Sequence, residues 1–148
     1  EFAQAEVAPR AEQLDRDAVF PTDLFRKLGE LGVMSIPFPE EYGGMGLGVF
    51  DAVLAIEEVA RADQSLAVSA MVSMATGLTV ARFGTEEQKR TWLPDIVAGR
   101  KICSIAGTEP DARTVHRADL RGGRRRDLRG VGVLGTRRAL LRSHCGVG

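Results

Sequence analysis

Residues 64–81, QSLAVSAMVSMATGLTVA, form the longest run in the chain without a charged side chain. The run reaches the length of a membrane-spanning helix. Ser65, Ser69, Ser73, Thr76, Gly77 and Thr79 are spread through it, whereas a spanning helix is more uniformly apolar. The run therefore predicts a buried helix with a helical domain built round it. Within it Val68, Met71, Val72 and Ala75 stand at i, i+3, i+4 and i+7, one stripe of the helix. From spacing alone such a stripe reads as core packing.

Working outward, Asp63 or Ser65 caps this helix, which ends near Phe83-Gly84. Thr85 with Gln88 three positions later fits a capping box and starts the next helix. Trp92, Leu93, Ile96 and Val97 give that helix its apolar side, and Gly99 closes it. Upstream, Phe50, Val53, Leu54 and Ile56 mark the apolar side of another helix. Residues 33–48 hold prolines and four glycines in six positions, which predicts a loop of shapes that side chains would obstruct. Leu24, Phe25, Leu28 and Leu31 repeat at helical spacing before Gly32. Residues 1–18 are helical in composition, with Pro9 either kinking the helix or starting a new one. Residues 102–106 read as a short strand. The fold class is mainly α: a helical bundle over 1–100, a first strand over 101–110, and an irregular tail over 111–148.

The formal net charge is zero, yet it divides. Residues 1–110 carry 10 basic against 17 acidic side chains; residues 111–148 carry 10 Arg against 3 Asp, with 7 Gly. An apolar fraction of 44% excludes a wholly disordered chain. Cys103 and Cys145 offer neither a disulfide framework nor metal-ligand spacing, so a reducing compartment, the cytoplasm, is expected. His116 and His144 have no companion ligands, and no metal is expected. Glu40 and Glu41 are adjacent and point different ways, so no acid–base pair forms and no catalytic residue is assigned. No Met precedes Glu1-Phe2-Ala3 and no signal peptide is visible, which reads as a piece of a longer sequence.

Three strings carry a resemblance: IPFPEEYGGMGLG (36–48), FGTEEQKRTWLP (83–94) and CSIAGTEP (103–110). In this order and spacing, residues 1–110 resemble the acyl-CoA dehydrogenase family, at its N-terminal helical domain and the start of its middle β-domain. The resemblance implies a flavoprotein oxidoreductase of fatty acid metabolism. Members bind FAD and dehydrogenate an acyl-CoA at its α,β bond. They use a base from a C-terminal domain, pass electrons to an electron-transferring flavoprotein, and assemble as homo-oligomers. By the same resemblance Ile105, Gly107 and Thr108 would contact the flavin. The helix face of Val68, Met71, Val72 and Ala75 would line the acyl chain, where Met71 suits a flexible apolar ligand. Core packing remains the other reading of that stripe, and a ligand-free turn the other reading of Thr108-Glu109-Pro110.

The family continues after Thr-Glu-Pro with a small-residue turn ending in Gly-Ser-Asp. Here Arg113 and Thr114 replace the glycine and serine, at the point where the charge changes sign. Two readings of residues 111–148 follow. One is a basic arm for nucleic acid, attached to an α-helical interaction module. It lacks Lys and any aromatic residue for stacking, which argues against nucleic acid as a partner. The other is a shifted reading frame of a GC-rich gene, which yields Arg and Gly in excess. On either reading the polypeptide lacks most of the flavin cradle, and purified 1–148 is expected to show no flavin absorbance and no acyl-CoA oxidation.

Overall fold

The computed structural model describes residues 1–105 and the backbone of residues 131–134. The chain enters through a π-turn, Ala3–Val7, and helix α1 runs Ala8–Asp17 with Pro9 in its first turn. Pro9 starts no separate helix: the chain stays helical from residue 2 to residue 17, and the proline stands just after the π stretch gives way to α1. The wider π turns ahead of it accommodate a proline ring and its missing N–H inside a continuous helix. Helix α2, Thr22–Glu30, buries Leu24, Phe25 and Leu28. Leu31 stays 55% exposed, since the helix has already ended and Gly32 turns the chain at φ +79°.

Residues 33–48 form the expected loop, with two short 3₁₀ turns, Val33–Ser35 and Glu40–Tyr42. The loop folds back on itself: Met45 N–H donates to Ser35 C=O at 3.0 Å and Gly46 N–H to Phe38 C=O at 2.8 Å. This doubling back leaves no room at Gly44, where a Cβ would stand 2.0 Å from the Phe38 carbonyl oxygen. Gly43 also sits at φ +85°, a region that disfavours any side chain.

Helices α3 (Val49–Ala60), α4 (Gln64–Phe83) and α5 (Glu86–Val97) follow. Asp63 caps α4, its carboxylate accepting from Leu66 N–H at 3.0 Å. Thr85 caps α5 in the expected reciprocal box: Gln88 N–H to Thr85 Oγ1 at 3.3 Å, Thr85 N–H to Gln88 Oε1 at 2.9 Å. Helix α4 has the length and hydropathy to cross a membrane, but here α3, α5 and the strand β1 (Ile102–Ile105) pack against it. The core gathers Leu24, Phe25, Leu28, Phe38, Leu66 and Ile96 with none of their surface exposed. The buried hydroxyls of Ser73 and Thr76 are both hydrogen-bonded, as buried polar groups must be.

Of the apolar side read on α3, Ile56 packs against the core, whereas Phe50, Val53 and Leu54 are 72%, 54% and 47% exposed, and α3 buries Ala52 and Val59. Periodicity identifies residues that share a face, but small residues allow the close approach that puts a helix against its neighbour. Within the segment read as an irregular tail, the described residues Val131–Leu134 form a short strand, β2. It pairs antiparallel with β1, Ile102 opposite Leu134 and Ile105 opposite Val131. A strand of four residues need not build its own core; it borrows the ladder of its partner.

Candidate functional site

The stripe predicted on α4 lies on the side of the helix that faces away from the core. Val68 is 44% exposed and Met71 50%, Ala75 is exposed, and Val72 is half-buried at the boundary. The opposite side carries the buried residues, Leu66, Ala67, Ala70, Met74, Gly77 and Val80 among them. At about 100° per residue the two sets are centred on opposite sides of one helix. The core reading of the stripe therefore fails for this domain. These four residues form an apolar surface that the described residues leave open.

Strand β1 leaves α5 through a turn held by charge. Asp95 accepts from Lys101 at 2.6 Å and Arg100 at 2.8 Å, and those two bonds hold its carboxyl below the usual range. The Lys101 ammonium also stands 5.0 Å from the centre of the Trp92 ring, a cation–π distance. The strand then docks on α4 through one side chain. Cys103 N–H donates to Ser73 Oγ at 3.0 Å, and the same hydroxyl donates to Cys103 C=O at 3.3 Å. Cys103 is buried, and burial pushes its thiol up to about 12.

Of the positions expected at a flavin, Ile105 ends β1 and is 54% exposed. Gly107 and Thr108 lie outside the described residues, as do His116, His144 and Cys145. Among the described residues no group of His, Cys, Asp and Glu side chains could hold a metal ion. A cleft of about 500 Å³ opens beside Glu41, Tyr42, Pro94 and Val97, and includes none of the predicted positions. Ser73 escaped the sequence reading. It counted there only as a polar interruption of an apolar run, and its partner lies 30 residues downstream.

The family pattern described as acyl-CoA dehydrogenase, N-terminal domain, matches residues 1–100. The chain belongs to the acyl-CoA dehydrogenase family. Its relatives in the family include the Bacillus subtilis (strain 168) protein named "Probable acyl-CoA dehydrogenase YngJ", 45% identical over 76% of this chain and 30% of the relative. Among solved structures, a chain from that of the electron transferring flavoprotein of Acidaminococcus fermentans matches with TM-score 0.70 and 37% identity. The match covers 75% of this chain and 30% of that one. A glutaryl-CoA dehydrogenase from Mycobacterium smegmatis in complex with FADH2 matches with TM-score 0.68 and 31% identity, over 75% and 29% of the two chains. The chain thus spans about 30% of the length of the relatives it matches.

Proposed function

We propose that this chain supplies the acyl-binding wall and the first flavin-contacting strand of an FAD-dependent acyl-CoA dehydrogenase. The observation that carries the reading is the outward face of α4. Val68, Met71, Val72 and Ala75 are apolar, lie together and are not consumed by the domain's own core. An acyl chain needs such a surface, and Met71 adapts its shape to one.

The described residues fit the cofactor as far as they reach. Ile105 is open at the end of a strand whose middle is fixed to α4, so a ring could lie against it. Ile105, Gly107 and Thr108 would hold the flavin, Thr108 through its hydroxyl and backbone. When bound, FAD supplies the acceptor for the hydride that leaves the β-carbon of the thioester. The part of these residues is to orient and to exclude water; no described side chain is assigned as the base. An electron-transferring flavoprotein is the proposed electron acceptor, a homo-oligomer the proposed assembly and the cytoplasm the proposed compartment. The match to a chain in an electron transferring flavoprotein structure supports the first of these.

Residues 111–148 are proposed to be read in a shifted frame. The pairing of Val131–Leu134 with β1 does not decide this, because ladder bonds use backbone groups that almost every residue supplies. The coding DNA around codon 111 tests it: secure codons, with no Gly-Ser-Asp in the alternative frame, end the idea.

The function is tested in a hybrid in which residues 1–110 replace the matched segment of the M. smegmatis enzyme. The hybrid should retain flavin, and Met71→Asp in it should raise KM for an acyl-CoA at least tenfold. A folded hybrid without flavin, or an unchanged KM, sinks the reading.

A further inference from the structure

We propose that Ser73 is a positioning residue whose single hydroxyl latches β1 to α4 and so sets the flavin strand against the acyl wall. The inference rests on the functional reading above for the identity of those two surfaces. The latch itself rests on geometry. Ser73 has no exposed surface and Cys103 is 3% exposed, so water cannot replace either hydrogen bond. One hydroxyl satisfies both backbone groups of one residue, accepting at 3.0 Å and donating at 3.3 Å.

Strand alternation explains why Cys103 is the residue met. In an antiparallel pair, successive residues direct their N–H and C=O alternately toward and away from the partner strand. Cys103 stands opposite Val133 of β2, yet both its backbone groups are taken by Ser73. They therefore point away from β2, to the opposite edge of β1, where among the described residues Ser73 meets them. Ser73 does there what a third strand would do, with one difference. A strand meets several residues and survives a slip; one hydroxyl meets one residue. A slip by two positions keeps the pleat but brings Lys101 or Ile105 to Ser73. The first would pull Lys101 from Asp95 and the second would bury the open side chain of Ile105. Ser73 also directly follows Val72, so the strand docks one residue step round the helix from the stripe. The separation between the acyl wall and the end of β1 is then fixed by this contact. The Lys101–Asp95 pair holds only the start of the strand.

The test uses the full 148-residue chain with Ser73→Ala and Ser73→Thr. Iodoacetamide labelling is mapped by peptide mass so that Cys103 is scored apart from Cys145, and helical circular dichroism reports folding. Ser73→Ala should label Cys103 at least tenfold faster with helicity retained, and Ser73→Thr should restore protection. Equal protection in Ser73→Ala, or no rescue by threonine, overturns the latch. Should Ser73→Ala lose its helices, hydrogen exchange of the unaltered chain decides. A Cys103 amide that exchanges like an open one rejects the proposal, and a protected one supports it. In the flavin-holding hybrid, Ser73→Ala should weaken FAD at least tenfold and shift its absorption band, with Ser73→Thr restoring both. Unchanged flavin affinity rejects the positioning role. A hybrid that holds no flavin with Ser73 in place counts against the functional reading instead, and labelling of Cys103 then judges the latch.

Discussion

Cys103 keeps its proton far into the alkaline range because its burial leaves a thiolate without water; nearby Lys101 works weakly the other way. The unfolded chain ionises this thiol near its ordinary value of 9.0, the folded chain only near about 12. Above the first value the unfolded state loses a proton that the folded state keeps. The stability tied to this group is therefore complete below pH 9 and falls as pH rises toward 12. Cys103→Ala removes the titration and leaves a small cavity. Urea unfolding should find the variant less stable at pH 7, with the gap to the natural chain closing above pH 9; a constant gap contradicts the argument. Gly77 poses a different contest. Replacing a helix-interior glycine by alanine gains about 0.5–1 kcal/mol in an open helix. Here the new Cβ would stand 2.7 Å from Phe38 Cζ and 3.0 Å from Ile96 Cγ2. Phe38 is wholly buried and cannot swing aside. Overpacking costs about 1–3 kcal/mol, so the clash wins, and Gly77→Ala should lower the melting temperature by several degrees.

At the scale of elements, the two helix caps should differ in worth although both are legible as caps. Asp63 is 9% exposed, and the Leu66 N–H it receives at 3.0 Å is buried. Removing it leaves a donor that water cannot reach, at about 1–3 kcal/mol. Thr85 caps α5 where the Gln88 N–H lies in the open, and water takes its place. Asp63→Ala should therefore cost about 2 kcal/mol and Thr85→Ala about 0.5–1 kcal/mol in urea denaturation followed by circular dichroism. Equal losses would contradict the role given to burial. The same elements set what a sequence reader can see. The spans of α2, α4 and α5 were legible because caps, periods and closing glycines are local signals. The facing of α3 was not, since the period places Phe50, Val53 and Leu54 together without saying which side the core lies on. On α4 the stripe was found, but only packing could separate a core face from an open one. Ser73 was invisible for a third reason. A serine in a helix normally bonds its own backbone, as Ser69 does to Ser65 C=O at 2.9 Å. Nothing local distinguishes the serine that reaches a strand 30 residues away.

For the whole molecule, the zero net charge of the sequence describes no surface, because an acidic helical domain and an Arg-rich segment cancel in it. What describes the surface is the apolar area the helices leave open. Val49, Phe50, Val53 and Leu54 on α3 are each 47–72% exposed, and the α4 stripe adds Val68 and Met71. An open apolar face contributes nothing to the stability of the domain that carries it, so changing it to polar residues should cost nothing. Lysine is the better helix former than either phenylalanine or valine. At position 53 it also stands four residues before Glu57, in the weaker orientation and shared with Arg61, while a cation at position 50 opposes the dipole at the start of α3. These small terms oppose one another, so Phe50→Lys with Val53→Lys should leave the melting temperature nearly unchanged, while binding of 1-anilinonaphthalene-8-sulfonate falls. Leu66→Ala, a change at a fully buried position of α4, should by contrast cost about 2–5 kcal/mol. A drop of many degrees in the double lysine variant would mean that the α3 face is covered in the 148-residue chain, and that the division between core and open face drawn from α3 and α4 is wrong.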